Sequence, residues 1–272
     1  MSGRALWAIA RRDMKVVGRS RAMMGPIIAV PLMLLVVLPG VLLLAPSLGA
    51  ADPRAAEGLA ELLAGLPAEM RAQFDGRPPA QVWAMLVHTQ LWPPLFLLVP
   101  FIVANVIAAD SFAGERERHT LESLLYTPPS DATLFAGKLL AAGLPGVLAS
   151  LFGFLLYFAV VTVIGRTTIG WAPSFGAASL VLVAWVGPAF AAIGLAGMVL
   201  VSLRVARTQD AVQLGGLLVL PVIGLVVGSV KGAVVLNAGA LLLIGAGAWL
   251  VAGALLLAGV RSFRRARLVS RL

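Results

Sequence analysis

The sequence predicts an all-α, polytopic membrane protein with six transmembrane helices. Of the 272 residues, 60% are hydrophobic and only 12% are charged, whereas a soluble domain has about 45–50% apolar and about 25% charged residues. Six stretches contain no Asp, Glu, Lys or Arg, and each is at least 20 residues long, which is the length that a helix needs to cross about 30 Å of hydrocarbon. These stretches are 22–51, 78–109, 139–165, 167–203, 211–230 and 232–260.

The amino-terminal stretch GRALWAIARRDMKVVGRS predicts a basic amphipathic helix within residues 1–21. At about 100° per residue, five bases fall within an arc of roughly 100° and four apolar side chains lie opposite. The bases are Arg4, Arg11, Arg12, Lys15 and Arg19, and the apolar residues are Leu6, Ala10, Met14 and Val17. Such a helix lies in the membrane interface with its bases on anionic lipid headgroups. An equally compatible interpretation is that these bases only set the topology.

A single membrane domain, residues 1–272, accounts for the remaining pattern. We predict spans at 24–46, 86–109, 138–164, 177–203, 211–230 and 234–260. Between them we expect an outer loop with short helices at 47–84, a cytoplasmic loop at 110–137, an outer loop at 165–176, a cytoplasmic loop at 204–210, an outer turn at 231–233 and a cytoplasmic tail at 261–272. The first span is too long for the apolar region of a signal peptide, about 7–15 residues.

Two features of the spans leave alternatives open. Only Lys231 and Asn237 separate the fifth span from the sixth, so a re-entrant pair is the alternative to two full crossings. Gly224, Gly228 and Gly232 repeat every four residues, a spacing that lets two helix backbones approach closely. That closely packed seam lies either within the subunit, the interpretation that we favour, or between two subunits.

Prolines recur inside the apolar stretches, at positions 31, 39, 93, 94, 100, 145, 188 and 221. A proline inside a helix removes a backbone hydrogen bond and can kink the helix. Kinked helices suit a path that opens and closes. The alternative is that proline is simply more frequent in membrane helices than in soluble ones.

The distribution of basic residues predicts the orientation of the chain. The amino terminus, the loop between spans two and three, the 204–210 loop and the tail together hold 16 Lys and Arg, against 5 on the other side. The positive-inside rule therefore places both termini and the second-to-third loop in the cytoplasm, which we expect to be that of a bacterial cell with this protein in its inner membrane.

The residues that the chain lacks exclude several functions. There is no Cys, which excludes disulfides, thiol nucleophiles and Cys-based metal sites, and we predict no metal site. No Asp, Glu, Lys or Arg lies deep in a span, although ion-coupled carriers generally need such groups. His88, near the outer end of the second span, is interpreted as an interfacial residue rather than a proton relay. Catalysis is disfavoured because no nucleophile has an evident base beside it.

The polar segment, residues 110–138, holds five acids and three bases in an otherwise apolar chain. On a helical wheel that begins at Glu115, an acidic and polar stripe lies opposite a leucine stripe. The first stripe contains Glu115, His119, Glu122 and Tyr126, and the second contains Leu121, Leu124 and Leu125. We expect Glu115 and Glu122 to face solvent, and Pro128 and Pro129 to end this helix. A solvated linker is the alternative interpretation.

The polar segment cannot bind ATP in the usual way. Gly137 and Lys138 are adjacent, but Leu139 stands where a P-loop has Ser or Thr, and no Gly lies five residues before Gly137. Without that pattern the backbone cannot cradle phosphates as a P-loop does. We therefore expect no cofactor on this chain, and ATP with Mg on a partner.

The run FAGERERHTLESLLYTPPSDATLFAGKLL resembles the first cytoplasmic loop of type-2 ABC exporter permeases. The resemblance implies a cytoplasmic coupling helix between spans two and three, which would dock on a separate ATPase subunit. It assigns the ATPase-facing surface to Glu115, Arg116, Glu117, Arg118, Thr120 and Glu122. The resemblance also matches Lys138 to a lysine at the start of span three.

The resemblance further implies a transport subunit rather than an enzyme. Two permease subunits, identical or different, would form the path and two ATPase subunits would drive it. Because the spans lack deep charges, we expect export of an apolar or amphipathic substrate, although the sequence identifies neither the substrate nor the direction. The alternatives are a self-contained secondary carrier and a non-transporting membrane scaffold for an ATPase.

Overall fold

The computed structural model describes residues 3–48, 53–117, 131–205, 207–231 and 236–262. Within these ranges the chain is 90% helical and contains no strand. Six of the helices are long and apolar enough to cross a membrane. The structure thus confirms the all-α fold with six spans.

The helices of the spans run past the charge-free stretches at several ends, because a helix does not stop where the first charged residue appears. Their apolar segments are Met23–Ala45, Pro79–Gly114, Thr133–Ile169, Ala177–Ser202, Thr208–Val230 and Ala238–Arg261. The second and third are the longest, with 36 and 37 residues. The helix of the third span, Asp131–Ile169, is continuous and includes Lys138. Between the first and second spans lie Pro53–Ala64, Ala68–Arg71 and a 3₁₀ turn, Ala72–Phe74.

The second span lies at the centre of the bundle. Of its 18 most apolar consecutive residues, 78% are buried, whereas only 22% of the corresponding residues are buried in the first, third and sixth spans. Its segment Leu98–Ala109 packs against the third and fourth spans, and its segment 87–96 contacts the fifth. Burial on most sides explains why its helix is apolar all round rather than on one face. The outer spans instead expose large apolar side chains, such as Leu243 and Leu250 of the sixth span, to the surroundings of the bundle.

Wide helical turns of the π type interrupt three of the spans at proline positions. The turns are Met33–Val37, Val87–Leu91 and Leu182–Val186, and the prolines that follow them are Pro39, Pro93, Pro94 and Pro188. A proline ring clashes with the carbonyl four residues earlier, and for each of these prolines that carbonyl lies inside the wide turn. The wide turn thus relieves the clash while the helix continues.

The amino-terminal helix, Gly3–Arg19, packs against the start of the third span. Its buried residues are Ala10, Asp13 and Val17, three to four apart, so they form one stripe. The five predicted interfacial bases, Arg4, Arg11, Arg12, Lys15 and Arg19, are all exposed. The helix is therefore amphipathic, with its apolar side on the bundle.

Candidate functional site

The last turns of the second span end in a buried acidic residue. A wide turn, Asp110–Gly114, is followed by a short α-helical turn, Glu115–Glu117. All five residues of the wide turn are buried, and Glu115 is only 6% exposed. Unlike the other three wide turns, this one is not closely followed by a proline. Because the helix continues past Ala109 without a break, Glu115 remains packed within the bundle.

Lys138 joins the two ends of the polar segment. It lies within the first turns of the third span and is 1% exposed. Its Nζ donates to Glu115 Oε2 at 2.6 Å and to the backbone carbonyl of Ser111 at 2.7 Å. It also lies 5.4 Å from the centroid of the Phe112 ring, within the range of a cation–π interaction. The ends of spans two and three are therefore linked by one buried ammonium group.

Asp13 of the amino-terminal helix completes a three-residue cluster. Its Oδ2 lies 3.6 Å from Lys138 Nζ, a distance for an ion pair without a direct hydrogen bond. Its side chain is 7% exposed. We name Asp13, Glu115 and Lys138 the buried ion cluster. It connects three elements: the amino-terminal helix, the second span and the third span.

The buried ion cluster contains two carboxyl groups and one ammonium group. Glu115 lies just past the last residue of the apolar segment Pro79–Gly114. Burial raises the pKa of its carboxyl, and nearby Asp13 raises it further, while Lys138 and Arg12 lower it. Desolvation dominates because a single buried lysine is shared between two acids. The Glu115 carboxyl therefore binds a proton more readily than an exposed glutamate does.

Gly137 explains how the amino-terminal helix comes close enough for this contact. A Cβ at position 137 would lie 2.8 Å from Cγ2 of Ile9 and 3.3 Å from the backbone carbonyl of Leu6. Real Cβ contacts are longer, so only glycine permits this approach without a shift. The adjacent pair Gly137 and Lys138 thus has a structural role: glycine admits the amino-terminal helix and lysine binds its aspartate.

Glu117 links the second span to the fifth. Its Oε2 accepts hydrogen bonds from the backbone N–H of Thr208 at 2.9 Å and from the Thr208 hydroxyl at 2.7 Å. Thr208 is the first residue of the helix Thr208–Gly216, whose first N–H groups have no partner within the helix. A carboxylate at this position satisfies the N–H group and favours the positive end of the helix dipole. Glu117 therefore caps the fifth span.

The structure corrects one expectation about the polar segment. Glu115 was expected to face solvent, but it is buried and bound to Lys138, because it belongs to the second-span helix rather than to a separate solvated helix. Glu117, which the wheel placed beside the leucines, is exposed. Arg118, Thr120, Glu122 and the three leucines lie outside the described residues, as does the side chain of Arg116.

The predicted glycine seam is only partly within the described residues. Gly224 is exposed, and a Cβ there would meet nothing within 4 Å, so none of the described helices packs on it. Gly232 lies outside the described residues. Close helix approaches occur instead at glycines that have no four-residue spacing: a Cβ at Gly194 would lie 2.6 Å from the carbonyl oxygen of Phe101.

Sequence reasoning missed Asp13, Ser111 and Thr208. For Asp13 a signal existed, because on the helical wheel it lies among the apolar residues opposite the five bases. An acidic residue on an otherwise apolar face points to a buried partner. Nothing in the sequence marked Ser111 or Thr208, since the first acts through its backbone carbonyl and the second through a contact 91 residues away.

The family described as "ABC-2 family transporter protein" matches residues 7–259. No curated protein matches the chain. Proteins of this family are transport subunits that are generally not catalytic themselves, and they typically work with an ABC ATPase. The matched residues contain the first five apolar helices, all but the last two residues of the sixth, and the buried ion cluster. The chain therefore belongs to the ABC-2 transporter family and is a multi-pass membrane permease.

Proposed function

We propose that this permease forms half of an export path and is driven by a separate ATPase subunit that contacts residues 110–137. The observation that carries the proposal is the attachment of both ends of this segment. Glu115 is bound to Lys138 across the segment, and Glu117 is bound to Thr208. A force on the segment would therefore reach the second, third and fifth spans together.

The buried ion cluster supports a stiff connection rather than a loose linker. A charge pair with little solvent around it is held by stronger electrostatic attraction than an exposed pair. Separating it leaves an uncompensated buried charge, which is strongly unfavourable. Motion of the loop would therefore move the helix ends as one body. Through Asp13, it would also move the amino-terminal helix along the membrane surface.

The absence of charge along most of each span supports an apolar or amphipathic cargo. Every charged residue within the described spans lies within six residues of a span end; these residues are Asp110, Lys138, Arg166, Asp210 and Arg261. A bare ion would need ligands or counter-charges at depth. ATP and Mg would bind to the partner, since the chain has no P-loop.

A second copy or a related permease would supply the other half of the path. The exposed side of the fifth span supports this step, since Gly224 has open space around it. Small residues on an exposed face of a spanning helix allow a second helix to approach. The seam proposed from Gly224, Gly228 and Gly232 would then lie between subunits.

The orientation with both termini in the cytoplasm of a bacterial cell is tested by cysteine labelling, which the Cys-free chain makes simple. Arg77 and Arg204 are both exposed and lie on opposite sides in the proposed topology. In intact cells, an impermeant maleimide should label Arg77→Cys but should label Arg204→Cys only after permeabilisation. The reverse pattern would invert the topology.

The proposed coupling is tested with an ABC ATPase that co-purifies with the tagged permease from its native membrane. The two are co-purified and reconstituted, and ATP hydrolysis and retention of the ATPase are measured for wild type, Glu122→Lys and the control Lys231→Met. We expect Glu122→Lys to reduce both, because it reverses a charge on the surface assigned to the ATPase. Unchanged coupling would refute that surface. Transport without any ATPase would favour a secondary carrier, and ATPase retention without transport of any substrate would favour a scaffold.

A further inference from the structure

A cavity of about 210 Å³ lies between the second, third, fourth and sixth spans. It is far from the buried ion cluster: Tyr157, in its wall, lies 19 residues after Lys138 on one continuous helix, or about 28 Å at 1.5 Å per residue. The nearby segment that contributes Ser174 and Gly176 leads into the fourth span. The cavity is therefore separate from the residues proposed for coupling.

Stacked aromatic rings form one wall of this cavity. The rings of Trp92 and Tyr157 are parallel to within 2°, with centroids 5.0 Å apart, and those of Tyr157 and His88 are parallel to within 2°, with centroids 5.8 Å apart. Phe96 and Phe154 line the cavity beside this stack, in a T-shaped pair. Flat apolar faces of this kind bind another ring well, by stacking or by edge-to-face contact.

His88 gives the cavity an oriented polar group. Its Nδ1 lies 2.7 Å from the hydroxyl of Tyr157, which fixes the ring and leaves Nε2 available to a ligand. When Tyr157 donates to Nδ1, the neutral imidazole carries its proton on Nε2 and donates from there. Ser174 and Ser179 also line the cavity. No Asp, Glu, Lys or Arg is among the described lining residues, so the site has no charge to match a charged ligand.

The size of the cavity limits what it holds. An engineered protein cavity of about 150 Å³ binds benzene, and pockets for drug-sized ligands are about 300–1,000 Å³. A volume of about 210 Å³ therefore suits one ring with a small substituent. The aromatic wall favours an aromatic ring, and the His88 imidazole favours a substituent with a hydrogen-bond acceptor.

We propose that this cavity is a binding site for neutral, single-ring aromatic molecules that carry a hydrogen-bond acceptor, such as a ketone or an ester carbonyl. His88 donates to the acceptor, and Tyr157 positions His88. Trp92 forms part of the wall, and its buried indole N–H has no hydrogen-bond partner among the described residues. A buried tryptophan N–H usually has a hydrogen-bond partner. The Trp92 N–H could therefore donate to a ligand if the wall of the cavity shifts around that ligand.

The binding test uses two matched probes and the permease alone in lipid nanodiscs. The probes are 4-fluoroacetophenone, which has an acceptor, and 4-fluorotoluene, which lacks one, and ¹⁹F NMR measures binding above the level of empty nanodiscs. Wild type should bind the ketone more tightly. His88→Phe should weaken ketone binding by roughly two- to ten-fold, as expected for one lost hydrogen bond, and leave the toluene unchanged. Thr167→Val, outside the cavity, is the control and should match wild type.

Two variants fill the cavity and test its location. Gly176 has extended backbone, and a Cβ there would meet nothing within 4 Å, so Gly176→Phe should fold. Ala178→Phe is the second such variant, and size-exclusion and thermal unfolding profiles check both. Binding of both probes should fall to the level of empty nanodiscs.

Three outcomes would overturn the inference. Wild type could bind neither probe, a folded filling variant could bind like wild type, or His88→Phe could leave ketone binding unchanged. Since no ATPase or nucleotide is present, such a failure would leave the coupling proposal intact. A failure of coupling would likewise leave this site intact.

Discussion

Lys138 Nζ lies 2.6 Å from Glu115 Oε2, although the two residues are 23 positions apart in the chain. The ion pair holds together the end of the second-span helix and the start of the third-span helix. A loop whose ends are bound to each other transmits force to both helices at once, whereas a loop with free ends absorbs it. We therefore expect a force on the residues between Glu115 and Lys138 to reach the ends of the second and third spans together.

Replacing Lys138 with Met should destabilise the protein strongly. The substitution leaves the carboxyls of Glu115 and Asp13 buried without their ammonium partner, and breaking a buried pair from one side costs about 3–5 kcal/mol. The measurement is the apparent melting temperature of the purified protein in detergent. Lys231→Met, at an exposed lysine, is the matched control and should melt like wild type.

The double variant Glu115→Gln/Lys138→Met distinguishes the cost of an unpaired buried carboxylate from the cost of changed side-chain packing at position 138. With both charges of the pair removed, part of the stability should return, because only the Asp13 carboxyl then remains buried without its ammonium partner. A Lys138→Met protein that melts like wild type would show that the ion pair contributes nothing to the fold.

The stability of the protein should depend on pH through Glu115. Burial raises the pKa of its carboxyl above the ordinary 4.5, despite the opposing effect of Lys138. A carboxyl with a raised pKa binds its proton more tightly in the folded chain. Its contribution to stability is therefore full below pH 4.5 and is lost as the pH rises through the raised value.

Comparison with Glu115→Gln isolates this effect from other titrating groups. The melting temperature of wild type minus that of Glu115→Gln should fall as the pH rises above 4.5, since glutamine does not titrate. A difference that grows with pH would mean that attraction to Lys138 outweighs burial, and a constant difference would mean that the two cancel.

Removing the Glu117 carboxylate should loosen the start of the fifth span. Glu117→Ala deprives the Thr208 N–H and hydroxyl of their acceptor, and loss of a helix cap costs about 1 kcal/mol. Hydrogen exchange at the first turn of Thr208–Gly216 should become roughly five-fold faster. Thr208→Val should have a smaller effect, because the backbone hydrogen bond remains. Equal exchange in Glu117→Ala and wild type would contradict the capping role.

The fold was largely predictable because hydrophobic length decides whether a helix crosses a membrane. Charge-free stretches located all six spans without knowledge of any contact. They could not locate where the helices end, since a lysine with a buried partner, such as Lys138, lies inside a helix as readily as an apolar residue. The proline positions likewise predicted irregular turns at Pro93 and Pro188, but not the proline-free wide turn before Glu115.

The site was less predictable because its geometry depends on contacts between distant elements. The helical wheel placed Glu115 and Glu122 on one stripe but could not tell which way that stripe faced. Orientation is set by packing against the third span and by Lys138, which a wheel drawn from one segment does not include. Asp13 could have been found from its place on an apolar face, whereas the contact between Glu117 and Thr208 required the folded chain.

Alanine at Gly194 should destabilise the bundle, whereas alanine at Gly224 should not. A Cβ at position 194 would lie 2.6 Å from the backbone carbonyl oxygen of Phe101, so the fourth span must move away from the second, and such overpacking costs about 1–3 kcal/mol. At Gly224 a Cβ meets nothing, and the higher helix propensity of alanine favours the variant slightly. The melting temperatures of the two variants in detergent check this contrast. Equal destabilisation by both would place Gly224 in a tight contact that this chain alone does not provide, as a seam between two permease subunits would.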